Sequence, residues 1–168
     1  MIETVKDRVS ISQLMRDLNL EVVYMPEKEE YFVESEDVNR TGLPLAGYFE
    51  YFPYERIQII GKTEYTYFQN ISKKEREEVL DKFFSYEIPV LIVTRGLEVD
   101  KDIIKKAKKY QRIVLSSKSN TTRFINRLSN YLDSKLAPHV TIHGVLVDVY
   151  GIGVLIKGES SIGKSETA

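Results

Sequence analysis

Hydrophobic positions along the chain recur with two periods, one typical of helices and the other of strands. Apolar side chains at helical spacing follow Ser10, a favourable helix cap, and predict a helix over residues 10–20 and then a strand over 21–25. From residue 57 onward, short apolar runs alternate with amphipathic segments. They predict strands over 57–61, 88–95 and 112–117 and helices over 72–85, 100–111 and 121–136. This alternation predicts an N-terminal α/β domain with a mostly parallel sheet flanked by helices.

Two regions do not follow this rhythm. Prolines interrupt residues 25–56, which we interpret as irregular with short elements. After Pro138, residues 139–158 are rich in Val, Ile and Gly and predict a β-hairpin that turns near Tyr150 and Gly151. We therefore expect an N-terminal domain over 1–134 and the start of a second domain over 135–168.

Composition and charge restrict the class of protein. The 168 residues include 42% hydrophobic and 29% charged residues, which is typical of a globular chain. Because Lys and Arg (24) nearly balance Asp and Glu (25), no overall basic field favours nucleic acid or an anionic membrane, and neither partner is predicted. The chain has no cysteine, and its longest apolar run, 88–93, is too short to span a bilayer. We expect neither export nor insertion into a membrane.

The last eleven residues, GESSIGKSETA, contain the pattern G-x-x-x-x-G-K-[ST] of a P-loop. An apolar run over 153–157 precedes the pattern as a strand, and residues 165–168 resemble the first turn of a helix. Strand, glycine loop and helix in this order are the context that a P-loop requires. The alternative interpretation is an ordinary turn rich in Gly and Ser.

The chemistry of these residue types fits a bound nucleotide and metal. Glycines allow the backbone to approach a phosphate closely, and successive N–H groups before a helix form an anion-binding nest. Lys164 can reach the β- and γ-phosphates of ATP, and the Ser165 hydroxyl can bind Mg²⁺. The predicted nucleotide-binding residues are Gly158, Glu159, Ser160, Ser161, Ile162, Gly163, Lys164 and Ser165.

Two longer segments resemble a known family. Residues 121–168 are similar to the central segment of the HPr kinase/phosphorylase family, and residues 39–64 are similar to its N-terminal domain. The likeness includes the His143–Gly144 pair and its spacing from the P-loop. Members of that family are about twice as long, so the resemblance implies an N-terminal fragment that ends within a truncated P-loop kinase domain.

The resemblance implies a bacterial, cytoplasmic and bifunctional enzyme. Such an enzyme uses ATP and Mg²⁺ to phosphorylate a serine of HPr, the phosphocarrier of the sugar phosphotransferase system. It removes that phosphate by phosphorolysis with inorganic phosphate, which releases pyrophosphate. Family members form homohexamers and connect sugar uptake to carbon catabolite repression.

Position by position, the resemblance assigns roles to individual residues. The ATP-binding loop falls on Gly158–Ser165, with Lys164 on the phosphates, Ser165 on the metal and His143 as the active-site histidine. Ser161 stands where the family usually has glycine, and a positive φ there would strain the loop by about 1 kcal/mol. The family's catalytic aspartate falls beyond residue 168, so we do not expect these residues alone to turn over substrate.

Other interpretations of the whole chain remain open on sequence grounds. Another P-loop kinase or NTPase, or a sensing or assembly module without catalysis, would also fit the motif. His143 on an apolar strand is also typical of a half-buried structural histidine. His139 and His143 are about 13 Å apart along a strand, which is too far for both to bind one metal ion.

Two surface patterns have both a structural and a functional interpretation. Five lysines between residues 101 and 109 are typical of a solvated helix face, with a polyanion site as the alternative. The aromatic residues in 48–54 and 65–68 are typical of packing, with a subunit contact as the alternative.

One prediction concerns nucleotide binding by the 168-residue chain itself. Only about one helical turn follows Lys164, and so short a helix is marginal in water, so binding must offset the cost of ordering the loop. We expect a dissociation constant for Mg²⁺·ATP no tighter than about 1 mM in titration calorimetry. Saturable micromolar binding that is lost in Lys164→Ala would contradict this expectation.

Overall fold

The structure is a computed structural model that describes residues 8–27, 30–137 and 144–157. Contacts divide the chain into one unit over Lys6–Ala137 and a second unit that contains residues 144–157. Within the described ranges, none of the helices combines the length and the apolar character needed to cross a membrane.

The first unit contains seven strands and six helices among its described residues. The strands are β1 (Val9–Ser10), β2 (Glu21–Tyr24), β3 (Phe32–Val33), β4 (Val38–Arg40), β5 (Ile57–Ile60), β6 (Leu91–Val93) and β7 (Val114–Ser116). The helices are α1 (Ile11–Leu18), α2 (Gly42–Leu45), α3 (Lys62–Asn70), α4 (Lys73–Ser85), α5 (Lys101–Tyr110) and α6 (Thr121–Leu136). The second unit contributes β8 (Gly144–Val149) and β9 (Ile152–Lys157).

The main sheet has five strands in the order β2-β7-β6-β5-β4. Strands β4 to β7 run parallel, whereas β2 pairs antiparallel with β7 at one edge. A short antiparallel pair, β1 with β3, forms a separate sheet. The prediction of a mostly parallel sheet flanked by helices is therefore confirmed.

Both faces of the sheet are buried, which explains why its central strands appear in the sequence as continuous apolar runs. One face packs on α3, α4 and α5, with Phe68, Phe83 and Ile103 fully enclosed. The other face packs on α1 and α6 through Leu14 and Phe124. Successive residues of β5 alternate between the two faces, as a strand requires.

Two elements of the first unit are not located by the hydrophobic pattern. Residues 25–56 are predicted to be irregular with short elements, and one of these short elements, Val38–Arg40, is β4, an edge strand of the main sheet. Helix α3 was not predicted, because only Glu64 and Phe68 of its nine residues are buried and its tyrosines are partly exposed. Neither segment shows an apolar period, so a pattern of hydrophobic residues does not identify it.

A buried polar junction joins the carboxyl end of β5 to two helices. The Gly61 N–H donates to Glu64 Oε2 at 3.0 Å, and Arg40 contacts the same carboxylate at 2.7 Å. Beside them, the hydroxyls of Thr94 and Thr121 lie 2.8 Å apart. A Cβ on Gly61 would lie 2.8 Å from Thr121 Oγ1, so this position has no room for a side chain.

Polar contacts also attach α6 to α1 at the surface. Arg127 donates to the Leu18 carbonyl at 3.1 Å, and the Tyr131 hydroxyl donates to Asp17 at 2.8 Å. Partial burial and the Asp17 carboxylate together raise the pKa of Tyr131 to about 12. The tyrosine therefore remains a donor to Asp17 throughout the neutral range.

An acidic side chain connects α4 to α5. The Asp81 carboxylate contacts Lys106 at 2.6 Å and Lys109 at 2.8 Å, and it accepts from the Tyr110 hydroxyl at 3.1 Å. These donors hold the pKa of Asp81 well below its usual range. Two of the five α5 lysines thus form ion pairs, so the predicted solvated face of α5 is not uniformly free.

The close contact at Gly61 predicts a steric effect on stability. Gly61→Ala should lower the free energy of unfolding by about 1–3 kcal/mol, because Thr121 is bonded to Thr94 and cannot move freely. Gly42→Ala is the matched control, since the nearest atom to a methyl carbon added at that glycine is 3.9 Å away. Urea unfolding followed by circular dichroism measures both, and equal stability of the two variants would contradict the steric account.

The ion pairs of Asp81 predict a pH-dependent effect. Since its side chain is 38% exposed, Asp81→Asn should cost only about 0.5–1 kcal/mol at neutral pH. Because the pKa of Asp81 is depressed in the folded protein, the ionised carboxylate stabilises the fold at pH values above the ordinary carboxyl pKa. The difference in stability between the unsubstituted protein and Asp81→Asn should therefore be constant above about pH 5 and shrink as the pH falls below about 4. Thermal melts across this range test it. Asp133→Asn on the exposed face of α6 should show no such difference, and a pH-independent effect at Asp81 would contradict the ion-pair origin.

Candidate functional site

The second unit is described as one antiparallel hairpin that leads into the predicted P-loop. Strands β8 and β9 pair in register from Gly144–Lys157 to Val149–Ile152. The turn residues Tyr150 and Gly151 have φ values of 53° and 80°, the left-handed pair typical of a tight hairpin turn. The Gly151 N–H donates to Asp148 Oδ1 at 2.8 Å and closes the turn. The predicted hairpin and the position of its turn are confirmed.

The two faces of the hairpin differ in composition. Directly opposed residues share a face, so one face carries six β-branched side chains. They are Val145, Val147, Val149, Ile152, Val154 and Ile156. The opposite face carries Leu146 and Leu155 beside Asp148 and Gly153, and Leu146 is 72% exposed. The described hairpin therefore presents apolar side chains on both faces.

The register of the hairpin places its two outer ends side by side. Gly144 and Lys157 are paired, so the chain segments that continue to His143 and to Gly158 leave the hairpin at the same end. His143 itself and all of Gly158–Ser165 lie outside the described residues, so their predicted roles remain predictions. The structure therefore supplies the strand that precedes the loop, as the P-loop interpretation requires.

The described parts of the chain offer little metal-binding chemistry. Within residues 8–27, 30–137 and 144–157, no group of three or more His, Asp or Glu side chains is placed to hold a metal ion. His139 and His143 lie outside these ranges. The predicted Mg²⁺ ligand, Ser165, also lies outside them.

Comparison with known families covers nearly the whole chain. The family model described as HPr Serine kinase N terminus matches residues 9–132, and the model described as HPr Serine kinase C-terminal domain matches residues 134–168. This chain belongs to the HPr kinase/phosphorylase family.

Curated relatives agree with this assignment. HPr kinase/phosphorylase of Peptoclostridium acidaminophilum is 53% identical over 161 residues, which are 96% of this chain and 52% of that protein. The protein of the same name from Caldanaerobacter subterraneus is 55% identical over 162 residues, 96% of this chain and 53% of that protein. The Clostridium perfringens relative is 50% identical over 160 residues. The chain thus spans about half the length of the curated HPr kinase/phosphorylases that it matches.

A solved structure also resembles the fold. It is titled as the CBS and DRTGG domains of the regulatory region of Clostridium perfringens pyrophosphatase, complexed with the activator diadenosine tetraphosphate. Its TM-score is 0.53 at 18% identity, and the match covers 77% of this chain and 50% of that chain. At this identity the likeness concerns the fold alone.

The aromatic cluster of the chain separates into two groups. Phe49 and Phe52 are buried and contact each other edge to face, with ring centroids 5.6 Å apart. Tyr48, Tyr51 and Tyr54 are exposed, with Tyr51 at 81%. The phenylalanines therefore serve packing, as the sequence indicated, while a subunit contact through the tyrosines remains a prediction.

Sequence reasoning missed a set of basic residues at the carboxyl ends of the parallel strands. A basic residue stands two positions after the last residue of each of three strands: Lys62 after β5, Arg95 after β6 and Lys118 after β7. The signal was present in the sequence as a basic residue after each apolar run. The shared position of these residues can be recognised only when the ends of the three strands are known.

Proposed function

We propose that this chain is part of an enzyme that phosphorylates a serine of HPr with ATP and reverses the reaction by phosphorolysis with inorganic phosphate. The observation that carries the proposal is the continuous match of both family models, from residue 9 to residue 132 and from 134 to 168. The alternative of another P-loop kinase or NTPase is not favoured, because the match to the family models covers the N-terminal unit as well as the P-loop motif.

The nucleotide site of the proposed enzyme consists of residues next to the described hairpin. Backbone N–H groups of Gly158–Ser165 would bind the phosphates, Lys164 would neutralise the β- and γ-phosphates, and Ser165 would bind Mg²⁺. When bound, Mg²⁺ supplies charge neutralisation at the transferring phosphoryl group. The paired ends of β8 and β9 support this arrangement, because they direct the segments of His143 and Gly158 from one end of the hairpin.

The wider context of the proposal follows the family. The partner is HPr, inorganic phosphate and pyrophosphate are the reactant and product of the reverse reaction, and the assembly is a homohexamer. We place the enzyme in the cytoplasm, in the control of carbon catabolite repression. The names of the curated relatives support HPr as the substrate.

The 168 residues alone are expected to be inactive under this proposal. In-line phosphoryl transfer needs a phosphate cradle, a metal and a group that accepts the proton of the attacking hydroxyl. The family resemblance places that acid–base aspartate outside these residues. Activity therefore belongs to a protein of the length of the curated relatives, about twice the span matched here.

The test is a lysine substitution in such a full-length protein. Lys164→Ala should reduce both HPr phosphorylation and phosphate-dependent dephosphorylation by at least about a hundredfold, because one lysine serves the phosphates in each direction. Mass spectrometry of HPr measures the forward reaction, and pyrophosphate release measures the reverse. Lys105→Ala, an exposed α5 lysine, is the control and should leave both rates unchanged.

Two outcomes would contradict the proposal. The first is a Lys164→Ala protein that retains either reaction at near the unsubstituted rate. The second is a full-length protein that hydrolyses ATP but does not modify HPr, which would identify a different P-loop enzyme.

A further inference from the structure

Basic side chains stand at the carboxyl end of every parallel strand of the main sheet. Arg40 is the last residue of β4, and Lys62, Arg95 and Lys118 follow β5, β6 and β7 by two positions. Parallel strands end at one common edge, so these four cations share that edge.

Two of the four cations are neutralised by acidic side chains. Arg40 contacts the buried Glu64 carboxylate at 2.7 Å, and Lys118 contacts Glu21 at 2.8 Å. By contrast, Lys62 and Arg95 have no ion pair or side-chain hydrogen bond with any residue that the structure describes. The net positive charge of the edge is therefore concentrated at these two positions.

Lys62 and Arg95 line the same cleft. It is a wide, open depression with a volume of about 560 Å³. Its other lining residues are Thr63, Thr66, Tyr67 and Asn70. The lining contains no acidic side chain and offers hydroxyl and amide donors beside the two cations.

The acidic residues nearest in sequence to Arg95 contact a different side of α3. Tyr65 donates to the Glu98 carbonyl at 2.6 Å, and Gln69 donates to the Asp100 carboxylate at 2.7 Å. Asp100 also lies 3.7 Å from Arg76. Tyr65 and Gln69 form a separate stripe of the helix from the cleft residues, so the cleft retains its positive character.

The backbone fixes the position from which Arg95 reaches the cleft. Arg95 and Gly96 have φ values of 66° and 63°, and a left-handed conformation is uncommon for arginine. The Arg95 N–H donates to the Ser119 carbonyl and the Gly96 N–H to the Ser117 carbonyl, both at 2.9 Å. Strained backbone held in this way is concentrated at functional positions.

We propose that this cleft binds the phosphoryl group of a small molecule, with Lys62 and Arg95 as its charged ligands. Guanidinium and ammonium groups from two separate elements are suited to hold phosphate oxygens from two directions. Tyr67, 43% exposed, provides an aromatic surface for an attached organic group. This site lies in the first unit and is independent of the proposed nucleotide loop, which belongs to the other unit.

The test is a residue-resolved NMR titration of the 168-residue chain at constant ionic strength. The probes are inorganic phosphate and adenosine monophosphate, with chloride as the reference anion. We expect saturable shifts of the amides of residues 62–67 and 95–96 at low-millimolar probe or below. If adenosine monophosphate binds more tightly than inorganic phosphate, and Tyr67→Ala reduces this advantage, the ligand of the cleft is an organic phosphate. If the two probes bind equally well, the ligand is free phosphate.

Matched variants separate this site from general anion binding. Lys62→Ala and Arg95→Ala should each weaken binding at least fivefold, with unchanged melting temperature because both side chains are exposed. Lys73→Ala is the control, since Lys73 is the exposed first residue of α4 as Lys62 is of α3. Shifts confined to residues 158–165, shifts that do not saturate, or an equal loss in Lys73→Ala would overturn the proposal.

Discussion

The close approach of β5 to the beginning of α6 is the constraint on which the N-terminal unit depends. Only a glycine at position 61 allows the Thr121 side chain to lie against the end of the strand and to bond with Thr94. The same glycine donates its N–H to Glu64, which also holds Arg40 from the neighbouring strand. Four segments distant in sequence are thereby fixed at one edge of the sheet by polar contacts.

Hydrophobic periodicity predicts the parts of this fold whose burial is extensive. Strands β5, β6 and β7 and helices α1, α4, α5 and α6 follow from it, because each buries an apolar stripe or run. It fails at α3 and β4, whose residues are held by the polar junction and by backbone pairing with β5. Polar contacts between distant segments leave no periodic trace in a sequence.

The candidate functional residues divide in a similar way. The P-loop pattern is recognisable from local sequence, because the chemistry of a phosphate cradle requires fixed residue types at fixed spacing. The His143–Gly144 pair is recognised only through the resemblance to the family. The cleft at Lys62 and Arg95 could not be predicted, because it depends on which strands are neighbours and on which cations are neutralised by Glu64 and Glu21. Membership of the HPr kinase/phosphorylase family agrees with the resemblance seen in the sequence, while the roles of the P-loop residues and of His143 stay predictions.

The β-branched face of the β8–β9 hairpin affects how such a protein behaves during its synthesis. During synthesis the residues of the N-terminal unit leave the ribosome first, and their sheet is covered by its own helices on both faces. The hairpin emerges afterwards, and the side chains of Val149, Ile152 and Val154 on its β-branched face are exposed. During synthesis, a polypeptide of this family therefore passes through a stage in which a folded N-terminal unit is followed by an aggregation-prone β-hairpin. Protection by chaperones matters most during that stage.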